Sequence, residues 1–156
     1  MADARRSSWG TSVKPIDALA VFLPLAAMLL APDARPATNL YPLSNVTVYD
    51  GDTVKADVDI GFDLMLSQQA IRSLGYDAPE LTRTRRTVLV TEAEIARGRA
   101  ARAALVALLA DGEPYIAPPA GDDTDAYGRR LGYLFVRRGG EWLDVAETMR
   151  AEGHER

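Results

Sequence analysis

The chain has 156 residues, 47% hydrophobic and 26% charged, which suits one domain with a real core and excludes a disordered chain. A formal charge of -4 excludes a global basic field for nucleic acid, so phosphate binding rests on individually placed arginines, sixteen of them against two lysines, Lys14 and Lys55. The absence of cysteine excludes disulfides, zinc-thiolate sites and a thiol nucleophile.

Residues 1–40 read apart from the rest. Arg5, Arg6 and Lys14 precede an uncharged run from Ala18 to Pro32, and small residues and prolines follow from Ala31 to Ala37. The run is short for a bilayer-spanning helix but fits the apolar part of a secretory signal, with cleavage near Ala34 or Ala37. The expectation is a signal peptide or a membrane anchor through residues 16–32, in a protein that is secreted or membrane-associated. A buried helix in a cytoplasmic protein is the alternative. A Pro-rich linker over residues 36–44 leads into the folded domain, residues 41–156.

Val46 and Val48 alternate with polar residues, and Val54, Ala56 and Val58 do so after Asp50-Gly51. That period of two predicts a pair of half-buried strands joined by a tight turn, with Asp50-Gly51 supplying positive backbone dihedrals. Ile60 to Asp63 makes the next turn, and Leu64 to Leu74 reads as a third strand carrying Arg72. Pro79 ends any strand after Gly75. Residues 81–90 form a basic connector without a legible pattern. Thr91 with Glu94 is a capping box opening a helix to Ala110, with Ile95, Ala101, Leu105, Leu108 and Leu109 as its buried stripe. Asp111-Gly112 stops that helix. Glu113 to Ala117 predicts a fourth strand, Gly121 to Arg130 a polar loop, and Leu131 to Val136 a fifth strand. Arg137 to Gly140 then turns the chain into a short amphipathic helix over Leu143 to Glu152. Three strands, a helix and two strands give a mostly β domain with helices: a five-stranded OB-type barrel with a helix between strands three and four.

Asp52, Asp77 and Glu80 fall where loops on one barrel rim bring them together, and Arg72 and Arg129 lie beside the same loops. Oxygen ligands without His or Cys suit a hard cation, Ca²⁺ before Mg²⁺. Carboxylates, a divalent ion and paired guanidiniums describe a site for attack on a phosphodiester. Each residue also has a plain explanation: Asp77 and Asp125 as turn formers, Arg129 as a solvated surface residue. His154 reads as solvated, without a catalytic role.

Asp50-Gly-Asp52-Thr53, Arg72 five residues before Asp77-Ala-Pro79-Glu80, and Asp125-Ala-Tyr127-Gly128-Arg129 occur in one order with characteristic gaps. Together with Gly98-Arg-Ala-Ala-Arg102 they resemble the staphylococcal nuclease (thermonuclease) family from about Tyr41 to Gly153. The resemblance implies a monomeric Ca²⁺-dependent nuclease that hydrolyses DNA and RNA to 3′-phosphate products. By the same resemblance Asp52, Asp77 and the Ala78 backbone carbonyl are metal ligands, and Glu80 positions the attacking water. Arg72 and Arg129 clamp the scissile phosphate, and Tyr127 meets the nucleotide's terminal phosphate. Ala78 replaces a common Thr, and Ala126 stands where the type member has a lysine. The type member's base-stacking tyrosines and carboxy-terminal helix would fall beyond Arg156. The alternative is an inactive module of the same fold that binds nucleic acid or a protein partner.

Overall fold

The computed structural model describes residues 39–81, 84–85 and 88–156, so the expectations for the amino terminus lie outside the described residues. Strand β1 (Tyr41–Val48) is followed by β2 (Thr53–Gly61) and β3 (Leu64–Ser73), each antiparallel to the one before. The stretch that carried no legible pattern contains two short strands, β4 (Thr84–Arg85) and β5 (Val88–Leu89), paired as a separate hairpin. Helix α1 (Glu92–Ala110) follows, then β6 (Glu113–Ala117), β7 (Arg130–Arg138), β8 (Glu141–Asp144) and helix α2 (Val145–Ala151).

Strands β3, β2, β1, β6 and β7 hydrogen-bond in that order, and parallel pairing of β3 with β7 at Ile71–Ser73 closes them into a barrel. This is the expected five-stranded barrel with a helix between its third and fourth strands and a short carboxy-terminal helix, and the parallel β3–β7 pairing makes it a mixed one. Val54, Ala56, Ile71, Leu134 and Val136 fill it, and Leu105 of α1 with Val145 and Met149 of α2 cover it. Burial of one such large side chain contributes about 2 kcal/mol, so these residues decide which face of each element points inward.

The sequence dictates these elements locally. In α1, Thr91 Oγ1 accepts from Glu94 N at 3.2 Å, and Ile95, Gly98, Ala101, Leu105 and Leu109 are buried at helical spacing. Leu108, expected in the stripe, is only partly buried. In the β2–β3 turn Phe62 and Asp63 take φ of 56° and 60°, the paired left-handed geometry of a two-residue hairpin.

Asp57 anchors a pair of irregularities in the ladder. Its carboxylate accepts from Asn45 Nδ2 at 2.7 Å and from Gln68 N at 2.6 Å, and both donors are left-handed residues where the strand register shifts. Those bonds stand in for ladder bonds that the bulges interrupt. The Asn45 and Gln68 donors hold the Asp57 carboxyl below its usual range.

Three expectations are corrected. Positive φ belongs to neither Asp50 nor Gly51. Gly51 is required instead by close approach, since a Cβ there would stand 2.5 Å from Ala78 Cβ and 2.8 Å from Ala101 Cβ. Gly139 and Gly140, at φ 58° and 95°, make a hairpin rather than a helix lead-in. Strand β8 therefore returns along β7, pairing Arg138 with Glu141, and α2 starts only after Asp144, whose carboxylate accepts from Glu147 N at 3.1 Å. Finally, His154 is partly buried rather than solvated, and its N donates to Met149 O at 2.9 Å. Arg156 N in turn donates to Asp77 O at 2.8 Å, which ties this segment to the candidate site. No described helix is long and apolar enough to cross a membrane.

Candidate active site

The β1–β2 turn places Asp52 at the barrel rim, and Tyr76 fixes that turn by donating its hydroxyl to Gly51 O. Arg102 of α1 supports the turn's other side, with Nε and Nη2 donating to Val48 O at 3.1 and 3.0 Å. Asp52 is 4% exposed. Its Oδ2 accepts from Ala78 N at 3.0 Å, and its Oδ1 accepts from Arg72 Nη1 at 2.9 Å and from Thr53 Oγ1 at 3.1 Å. Burial raises the Asp52 carboxyl above its ordinary value, and the Ala78 N–H and Arg72 only partly oppose that.

Strand β3 brings Arg72 to the same rim, opposite Thr53 in the β2–β3 register. Its second nitrogen, Nη2, pairs with Asp77, so one guanidinium bridges the two carboxylates. Burial disfavours the charge of Arg72, yet Asp52 and Asp77 outweigh it and hold the guanidinium above its usual value.

Arg129 arrives from a different part of the chain, at the end of the loop before β7. Asp125 organises that loop: its Oδ1 accepts from Tyr127 N and Arg129 N at 2.9 Å each, and its Oδ2 takes Arg129 Nε at 2.8 Å. Burial works against ionised Asp125, but the Arg129 and Tyr127 donors lower its carboxyl overall. Arg129 Nη1 also donates to Thr53 Oγ1 at 3.2 Å. Thr53 therefore links the two halves of the site, accepting from Arg129 and donating to Asp52. The Tyr127 ring lies 5.6 Å from the Arg129 guanidinium carbon and is 86% exposed.

Asp50, Asp52, Arg72, Ala78, Glu80 and Arg129 line a pocket of about 110 Å³. That equals the liquid volume of roughly four waters, enough for a phosphate-sized group. Larger grooves occur elsewhere, but one of about 240 Å³ is lined mainly by apolar side chains and carries none of these residues. The structure thus gathers Asp52, Arg72, Ala78, Glu80 and Arg129 around one pocket. Asp77 joins through Arg72, and Tyr127 lies outside the pocket against Arg129.

Of two further neighbours, Asp50 was legible only as a turn residue and Arg156 had no local signal. Asp50 Oδ1 accepts from Asp52 N at 3.2 Å, and the Arg156 guanidinium reaches Glu80 Oε1 at 3.5 Å and Glu94 Oε1 at 3.3 Å. Gly98 of α1 lets the helix approach the loop that carries Glu80, since a Cβ there would stand 2.4 Å from Glu80 O.

Among the described residues no three His, Cys, Asp or Glu side chains converge to hold an ion by themselves. The donors at the rim are nonetheless all oxygens, and the desolvated Asp52 carboxylate already has a cation, Arg72, between it and Asp77. Carboxylate oxygen is the ligand type that a hard divalent ion takes, and Asp52 and Asp77 supply it at this rim.

A scan against models of known protein families finds no match, and a search of curated proteins finds no relative.

Proposed function

We propose that the protein is a Ca²⁺-dependent nuclease that hydrolyses phosphodiester bonds of DNA or RNA and leaves 3′-phosphates. The observation that carries this reading is the joining of Arg72 and Arg129, far apart in the sequence, through Thr53 and Asp52 around the pocket that Glu80 also lines. Two planar guanidiniums beside a phosphate-sized cleft and a carboxylate suit a tetrahedral phosphate that gains negative charge on its equatorial oxygens.

Asp52, Asp77 and the Ala78 carbonyl would hold Ca²⁺, which when bound offsets phosphate charge and orients a water. Glu80 takes a proton from the attacking water as its oxygen bonds to phosphorus. The bond to the 5′ oxygen breaks, and that oxygen takes a proton from solvent. Arg72 and Arg129 grip the non-bridging oxygens throughout. Asp125 and Thr53 hold Arg129 in place, and Tyr127 flanks the nucleotide.

Purified protein incubated with plasmid DNA and with RNA in Ca²⁺ should cut at least one of them and leave ends that a 3′-phosphatase alters. No cleavage in Ca²⁺, or equal cleavage in excess chelator, refutes the reading. Binding without any cutting would point instead to a non-catalytic barrel of the same fold.

A further inference from the structure

The β2–β3 ribbon runs from the candidate site to an apolar tip. It begins at Thr53 opposite Arg72 and ends at Gly61 opposite Leu64. At about 3.3 Å per residue, β2 separates the two ends by roughly 27 Å. Strand β3 meets β7 only at Ile71–Ser73, so its first residues extend beyond the closed part of the barrel. There Ile60, Phe62, Leu64, Met65 and Leu66 are exposed, Phe62 at 98%.

Phe62 is the informative residue. It takes φ of 56° at a turn position where Gly, Asn or Asp fits at low cost, and a bulky side chain there is strained. Among the described residues nothing offsets the strain, because the ring touches almost only solvent. A strained, fully exposed aromatic points to a contact outside the molecule.

The surroundings select the contact. Apolar groups lie on more than one side of the ribbon: Ile60 and Leu66 line an apolar groove with Tyr41 and Val58, while Met65 follows the pleat to the other face and Phe62 forms the apex. A second copy pairing along the open β3 edge would cover one side and leave the apex in water. An apolar medium covers every side at once. Between Ala56 and Ile71 the only charged residues are Asp57, Asp59 and Asp63, and Arg130, which also lines the groove, is paired with Asp123 at 2.8 Å, so the described residues of the tip offer anionic headgroups no free cation. Asp59 is occupied, accepting from Gly61 N at 2.8 Å. The entry to β1 belongs to this same end, since Tyr41 lines the groove. In the sequence, residues 33–40 alone separate Tyr41 from the uncharged run 18–32.

We infer that the tip of the β2–β3 hairpin docks on a lipid bilayer, with Phe62 and its apolar neighbours inserted into the interface by apolar burial rather than by charge. This directs the candidate site away from the surface and does not depend on the nuclease reading.

The chain has no cysteine, so a single introduced one can be labelled uniquely. Full-length Phe62→Cys and Tyr49→Cys proteins, each carrying an environment-sensitive fluorophore, are mixed with phosphatidylcholine vesicles. Tyr49 is exposed at the opposite end of the ribbon. The label at 62 should shift to the blue, brighten severalfold and be quenched by a lipid-borne quencher. Added salt should not reverse these changes, and the label at 49 should show none of them. A label at 62 that stays in water after vesicles are added, whether or not the protein binds them, overturns the inference. A blue shift without vesicles that grows with protein concentration also overturns it, in favour of a second copy covering the tip.

Discussion

Gly98→Ala tests whether α1 sets the position of Glu80. In an exposed helix interior the change would stabilise by about 1 kcal/mol, because alanine is the better helix former. Here the new Cβ would meet Glu80 O at 2.4 Å and Pro79 O at 2.7 Å, and both are main-chain atoms that no side-chain rotation can move. To reach ordinary contact, 3.4 Å or more, the helix and the Pro79–Glu80 loop must separate by about 1 Å. Overpacking of this kind costs about 1–3 kcal/mol, so a net loss of roughly 1 kcal/mol is expected once the helix gain is deducted. The larger effect falls on chemistry, since a displacement of about 1 Å at a positioned group costs on the order of 100-fold in rate. Urea unfolding and single-turnover cleavage at saturating enzyme measure the two separately. Gly121→Ala, whose Cβ would have no atom within 4 Å, is the control and should change neither. A Gly98→Ala protein that cuts at the native rate would show that the contact does not position Glu80.

Arg72→Lys and Arg129→Lys should each lower single-turnover cleavage by about 100-fold or more, roughly 3 kcal/mol by comparison with a lost oxyanion donor, because lysine cannot bridge two oxygens. Arg85→Lys, in the basic hairpin, should leave the rate within about twofold, and equal losses at all three positions would count against a site built on Arg72 and Arg129. Mg²⁺ should support cleavage poorly beside Ca²⁺, since carboxylates and a carbonyl on loops make no rigid octahedral cage, and equal rates in metal titrations would contradict this. Asp57 has a depressed carboxyl, so the stability it contributes is complete above the ordinary value of 3.8 and is lost as pH falls through its lower folded value. Asp57→Asn should therefore flatten the fall in melting temperature below about pH 4. An unchanged slope would mean that its bonds to Asn45 and Gln68 do not favour the ionised form.

The barrel was legible because its signals are local. The alternation of Val46, Val48, Val54, Ala56 and Val58, and the Thr91–Glu94 capping box, sit within a few residues of the elements they specify. Strand β8 was missed because Glu141–Asp144 is too short for a period to emerge, although Gly139-Gly140 is itself a two-residue hairpin signal. Gly51 was assigned the wrong constraint for a related reason. Its need for glycine comes from Ala78 and Ala101, neither of them near it in sequence. The contacts of Arg156 with Asp77, Glu80 and Glu94 were out of reach for the same cause, since no periodicity or turn rule joins residues so far apart.

Asp52 marks the point where turn chemistry stops explaining the sequence. An aspartate kept for an Asp-Gly turn keeps its carboxylate in water, where ionisation costs nothing. Asp50 plays the turn role here, its Oδ1 accepting from Asp52 N. Asp52 is instead 4% exposed, and its carboxyl is raised by burial despite three hydrogen bonds. Above the ordinary carboxylate range its ionisation therefore opposes folding, because the folded state holds the proton more tightly than the unfolded chain does. A group that destabilises its own fold while bonded directly to Arg72 and linked to Arg129 through the Thr53 hydroxyl fits placement for chemistry better than placement for the turn.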